Sequence, residues 1–121
     1  MHVHRSNVGQ IKLASGLTVV VGIWEILAPF VLGYSLVPPP TINAVLIGFI
    51  ITILASIRFF GAFDAAWLSW INAALGVWLI LAPFILGYRD AAMVNDIIVG
   101  IIVLMLGTWS ALLSADGIYN P

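Results

Sequence analysis

Few side chains in this sequence could do chemistry, and fewer still could do it together. Glu25 is an ionisable residue deep inside an apolar stretch; a carboxylate there must be protonated, paired or hydrated, and the default inference is a functional group. Asn43 and Asn95 stand early in two other apolar stretches, where an amide serves as an N-cap or as an interhelical hydrogen-bond donor more readily than as a ligand. Asp96 suits the positive end of a helix dipole, and Arg58 suits a helix C-terminus with its head reaching the lipid headgroups. His2 and His4 supply two imidazoles, too few ligands for a metal site. There is no Ser-His-Asp arrangement, paired carboxylate motif or phosphate loop, and no cysteine for a disulfide or thiolate site. The expectation is a protein without catalysis, metal or cofactor.

The elements that must position these groups follow from composition. Of 121 residues 63% are hydrophobic and 7% charged, with a mean hydropathy of +1.18. A chain this short cannot hide that much apolar surface from water, so the solvent it fits is a bilayer. The net charge of −1 offers nothing to a phosphate backbone, which excludes nucleic acid as a partner. Four spans of about 20 apolar residues read as transmembrane helices: 13–32, 42–60, 65–86 and 91–113, the last starting at Ala91 or Asn95. Residues 1–12 read as a cytoplasmic tail and 114–121 as a C-terminal tail broken at Asp116-Gly117. Loop punctuation comes from Pro38 to Pro40 before an N-cap at Thr41, from Gly61 and Asp64, and from Arg89-Asp90. Arg5, Lys12 and Arg58 on the side of the termini, against Arg89 alone on the other, place both termini in the cytoplasm.

The chain also repeats itself. Residues 22–34 (GIWEILAPFVLGY) and 76–88 (GVWLILAPFILGY) are identical at ten of thirteen positions at an offset of 54. After a shorter loop the match resumes at an offset of 52, pairing Asn43 with Asn95, Gly48 with Gly100 and Ser56 with Thr108. Each copy is a helical hairpin, residues 13–60 and 65–113, and a unit that crosses twice re-enters from the same side. The expected architecture is therefore an all-α membrane protein of two parallel hairpin repeats related by an axis along the membrane normal.

Two copies of G-x-W-x-x-L-A-P-F-x-L-G-Y, each followed by an N-x-x-x-x-G helix, resemble the SPW repeat family of small bacterial integral membrane proteins. The signature Ser-Pro-Trp is replaced in both copies, by Ala28-Pro29-Phe30 and Ala82-Pro83-Phe84. The resemblance implies the architecture and a bacterial inner-membrane location, and it brings no catalytic residues.

Physical chemistry assigns the motif positions. Pro29 and Pro83 should loosen the helices near Ala28 and Ala82, with Gly33 and Gly87 as stops and Tyr34 and Tyr88 as headgroup anchors. Because these prolines lie near the outer boundary rather than the midplane, they read as helix termini and not as an ion-coordinating break. Ser15, Thr18, Gly22, Glu25 and Pro29 share one face, as do Ser69, Asn72, Gly76, Leu79 and Pro83, and such small or polar stripes pack helix against helix. Ala44, Gly48, Thr52 and Ser56 form a stripe on the second helix, and Gly100, Gly107, Thr108 and Ala111 on the fourth. Trp24 and Trp78 lie opposite Gly22 and Gly76, facing lipid or a neighbouring subunit. The copy of Glu25 is Leu79, so the repeat does not demand a carboxylate; the alternative to a functional Glu25 is a hydrogen-bonded bridge to Thr18, Asn43 or Asn72. Two functions follow as expectations. One is a structural or accessory membrane protein, packed among lipids in a homo-oligomer or a larger membrane complex. The other is a small transporter or ion-conducting oligomer using Glu25.

Overall fold

The computed structural model describes residues 5–118, with side chains from 7 to 114. The described residues form four helices: α1 (Arg5–Val31), α2 (Pro38–Phe60), α3 (Ala66–Leu86) and α4 (Asp90–Ile118). All four are long and apolar enough to cross a membrane. Even α3, with 21 residues, extends about 30 Å at 1.5 Å per residue, the thickness of a hydrocarbon core.

The helices close a ring in which α1 packs on α2, α2 on α3, α3 on α4 and α4 on α1, most extensively within the pairs α1–α2 and α3–α4. Glycines set the spacing inside each pair. A Cβ placed on Gly48 would stand 3.0 Å from the Gly22 carbonyl oxygen, and one on Gly100 only 2.6 Å from that of Gly76. Backbone therefore meets backbone at corresponding positions of both pairs, as the stripes require. The buried face of α2 is rotated slightly from the expected one: Ala44 and Gly48 are buried, and it continues through Ile51, Ala55 and Arg58, leaving Thr52 and Ser56 half-buried.

The ends of the helices differ from the sequence reading in four places. Pro38 to Pro40 open α2 instead of preceding it, because the first turn of a helix has no use for their missing N–H groups. Thr41 is thus not the N-cap; Val37 is, and the Thr41 hydroxyl donates 2.9 Å to the Tyr34 carbonyl. At the other end α1 begins at Arg5, so most of the segment read as a tail is helix. Tertiary packing explains it: Ile11 is fully buried against Leu113, Val8 and Phe63 join them, and the Asn7 amide donates 2.7 Å to the Leu113 carbonyl. α4 likewise continues through Asp116-Gly117 to Ile118. The anticipated stops are present, since Gly33 and Gly87 have φ of 85° and 78° and each donates its N–H to the proline carbonyl four residues earlier.

Sorting by burial is the reverse of a soluble domain. Glu25, Asn43, Arg58, Ser69, Asn72, Asn95 and Asp96 are inside, while Val20, Phe30, Ile42, Phe49, Phe84 and Met105 are more than half exposed. An apolar exterior around an interior that holds charged and amide side chains beside apolar ones is stable only where the surroundings are hydrocarbon, and the outer side chains contact lipid.

Candidate functional site

Two polar clusters occupy opposite ends of the bundle. The first lies toward the turns that join α1 to α2 and α3 to α4. Glu25 on α1 and Asp96 on α4 each stand six residues, about 9 Å at helical rise, from the turn end of their helices. Both are fully buried. The Asn95 Nδ2 donates 2.8 Å to Glu25 Oε1 and approaches Asp96 Oδ1 at 3.5 Å, so one amide serves both carboxyl groups. The Tyr88 hydroxyl donates to Asp96 Oδ2 and itself accepts from Asn43 Nδ2 at 3.2 Å. α1, α2, α4 and the α3–α4 turn thereby contribute to one connected network.

The indoles complete it. Trp24 Nε1 donates 2.9 Å to Asn95 Oδ1, and Trp78 Nε1 donates 2.8 Å to Asn43 Oδ1. The expectation that Trp24 and Trp78 face lipid or a neighbouring subunit is corrected: the Trp78 ring is half-buried against Leu79, Ala82 and their neighbours, the Trp24 ring is partly exposed, and both N–H groups turn inward. An indole N–H in hydrocarbon has no water to bond, so it takes the nearest buried acceptor. The two bonds are exchanged between the pairs, α1 to α4 and α3 to α2, by residues at matching positions of the two copies.

Against this matched frame the acids are unmatched. In the second copy Glu25 corresponds to Leu79 and Asp96 corresponds to Ala44 in the first; both apolar residues are fully buried. The consequence is visible in the tyrosines. Asn43 bonds the Tyr88 hydroxyl, but its counterpart Asn95 turns its amide to Glu25, and the buried Tyr34 hydroxyl is left without a partner, as is Glu25 Oε2. Tyr34 and Tyr88, expected as headgroup anchors, are both 8% exposed. Burial holds both phenols above their ordinary ionisation range; the neighbouring carboxyls of Glu25 and Asp96 add to this for Tyr34, as the hydrogen bond and charge of Asp96 do for Tyr88. Above the network a cleft of about 410 Å³ opens at the turn end, lined by Tyr34, Tyr88, Arg89 and Asp90 among others.

The second cluster centres on Arg58, which does not reach out to headgroups as expected but is fully buried. Its Nε donates 2.9 Å to Ser69 Oγ, and Nη1 donates to the carbonyls of Ala62 and Phe63 at 3.0 and 2.7 Å. Nη2 reaches the carbonyl and hydroxyl of Ser110 at 2.8 and 3.0 Å and Ser114 Oγ at 2.8 Å. Arg58 uses its whole fork of donors to fasten the α2–α3 turn and the far end of α4.

Glu25 is thus bonded to Asn95 rather than to the expected Thr18, Asn43 or Asn72. Thr18 donates to the Ala14 carbonyl within its own helix, and Asn72 Nδ2 reaches the Ile51 carbonyl at 3.4 Å. Asn43 and Asn95 act as interhelical donors, one of the two roles expected of them. Pro29, Pro83, Ala28 and Ala82 are buried and Phe30 and Phe84 point outward, so the motif packs its small residues inward. Sequence reasoning missed Asp96 and Arg58 as members of buried clusters. The signal that would have found Asp96 is the one that singled out Glu25: a charged residue where the other copy has an apolar one. His2 and His4 lie outside the described residues, among which no group of three metal-ligating side chains occurs.

The fold and the inverted distribution of polarity define an all-α integral membrane protein that crosses the bilayer several times. The SPW repeat domain matches residues 12–110, and the chain belongs to the SPW repeat family. No curated protein and no solved structure matches it.

Proposed function

We propose that this chain is a structural or accessory membrane protein, without catalysis of its own, that packs in an oligomer or a larger membrane complex. The observation that carries this reading is the layer between the two polar clusters. Ile51, Leu79, Val99 and Val103 are buried together there, with Val21, Ile47 and Leu75 packed against them. A filled apolar layer leaves the bundle interior no continuous polar route, and the outer surface is the part still free to engage another molecule. The Lys and Arg distribution supports an orientation with both termini in the cytoplasm, and the SPW family supports a bacterial inner membrane. A second reading, a small transporter or ion-conducting oligomer using Glu25, is favoured by the burial of Glu25 beside Asp96.

The test is purification in native lipid discs, with identification of co-purifying subunits and of mass, alongside proton and alkali-ion flux in proteoliposomes. The scaffold reading expects a defined oligomer or partner complex and flux equal to that of empty vesicles. A monomer whose flux exceeds empty vesicles and vanishes in Glu25→Gln overturns it in favour of the carrier.

A further inference from the structure

Nothing in the matched frame of tryptophans and asparagines requires the two acids, because the other copy builds the same frame around Leu79 and Ala44. Two carboxyl groups that share the Asn95 amide inside an apolar bundle cannot both be ionised without a positive charge between them. What supplies that charge is decided by counting free oxygens. Glu25 Oε1 accepts from Asn95, and Asp96 Oδ2 accepts from Tyr88. The oxygens that remain are Glu25 Oε2 and the Tyr34 hydroxyl, both buried without partners, and Asp96 Oδ1, whose one neighbour is the Asn95 amide at 3.5 Å. Three oxygens fall short of the six to eight that a hard cation such as calcium collects. A proton needs only two.

We propose that Glu25 and Asp96 form a binding site for a single proton, carried on Glu25 Oε2 and directed toward Asp96, and that this proton exchanges through the Tyr34-lined cleft at the turn end. The donor pattern separates the two acids, since Tyr88 points its O–H at Asp96 Oδ2, while Glu25 Oε2 faces no donor and is the oxygen free to carry hydrogen. Groups near the pair come from every side: Tyr34 from the α1–α2 turn, Tyr88 from the α3–α4 turn, whose exposed Arg89 and Asp90 line the cleft, and the neutral amide of Asn43 from α2. None of these supplies a buried cation. The apolar layer of Ile51, Leu79, Val99 and Val103 separates the pair from the Arg58 end, so exchange is one-sided. Glu25 and Asp96 sit on different hairpins, and loss of the proton sets two negative charges face to face across the α1–α4 contact. The site therefore belongs to a scaffold that senses acidity on one side of the membrane as readily as to a carrier, and does not rest on either reading.

Infrared spectroscopy of the full chain in lipid tests this, because the sequence holds only five Asp and Glu residues and an isolated carboxyl is ionised at pH 7. The expected result is a carboxylic-acid carbonyl band equal to one group per chain at pH 7, shifted in deuterium oxide, removed by Glu25→Gln and displaced but retained in Asp96→Asn. Tyr34→Phe should slow the hydrogen–deuterium shift of that band several-fold. The wild-type band needs no variant to be measured: its absence at pH 7 overturns the proposal, as does its survival in folded Glu25→Gln. Loss of the band on adding sodium or potassium chloride at fixed pH overturns it in favour of a metal cation, and an unchanged exchange rate in Tyr34→Phe overturns the route through the cleft.

Discussion

Replacing Gly100 by alanine pits two known effects against each other at a place where the geometry decides between them. Alanine in a helix interior is favoured over glycine by about 1 kcal/mol. The added methyl, however, would stand 2.6 Å from the Gly76 carbonyl oxygen, 2.8 Å from Ile80 Cγ1 and 3.0 Å from Ile80 N. Two of those neighbours are α3 backbone and cannot rotate away. To restore ordinary contact at 3.4 Å, α4 must withdraw by about 0.8 Å from Gly76. A gap of that order forfeits roughly a quarter to a half of the dispersion energy of the atoms it separates. Overpacking of this kind costs roughly 1–3 kcal/mol, which exceeds the propensity gain. Gly48 is less confined, its nearest neighbours lying at 3.0 Å, and Gly9 has nothing within 4 Å. The expected order of stability is Gly9→Ala above wild type, Gly48→Ala near it and Gly100→Ala below it. The extremes should differ by about 2 kcal/mol when overpacking and propensity are set together. Reversible unfolding in mixed detergent micelles, followed by tryptophan fluorescence, reads these differences. A Gly100→Ala protein as stable as Gly9→Ala would refute the close approach of α3 and α4.

Arg58→Met strands acceptors on Ser69, Ser110, Ser114 and the α2–α3 turn, and should cost about 2–4 kcal/mol in the same assay; Arg58→Lys, with three donors in place of five, should recover only part. Tyr34 and Tyr88 should ionise later than a free phenol when tyrosinate absorbance is followed in alkali. Because a folded state that keeps these protons longer than the unfolded chain is favoured only while both states hold them, stability should be fully present below the ordinary phenol value of 10.0 and decline as pH rises above it. Reporter fusions at Asn7 and Pro121 should report cytoplasm and one at Pro39 the outside; an outside C-terminus would contradict the charge count.

Composition and spacing determined the class of this protein. A chain so apolar and so short has no soluble solution, and spans of about 20 residues follow from bilayer thickness alone. The repeat identified which residues recur, and the stripes of Gly22, Gly48, Gly76 and Gly100 were legible because close helix packing admits little else. Glu25 was legible as an anomaly, being an acid where its copy has Leu79. Its partner was not, since a periodic pattern places a residue on a face but does not say which of two neighbouring helices that face meets. Only the closed ring, with α4 beside α1, brings Asp96 and Asn95 to Glu25 and leaves Thr18 and Asn72 to other bonds. The same limit applies to Arg58 and the tryptophans. Position near a helix end suggested a headgroup for the arginine, and a place opposite Gly22 and Gly76 suggested lipid or a neighbouring subunit for the indoles. Tertiary structure instead offered each a set of buried acceptors, and in hydrocarbon a donor goes where an acceptor is fixed within reach. Ile11 shows the rule for apolar contacts as well: the first turns of α1 are helical because Leu113, 102 residues away in sequence, is there to cover them.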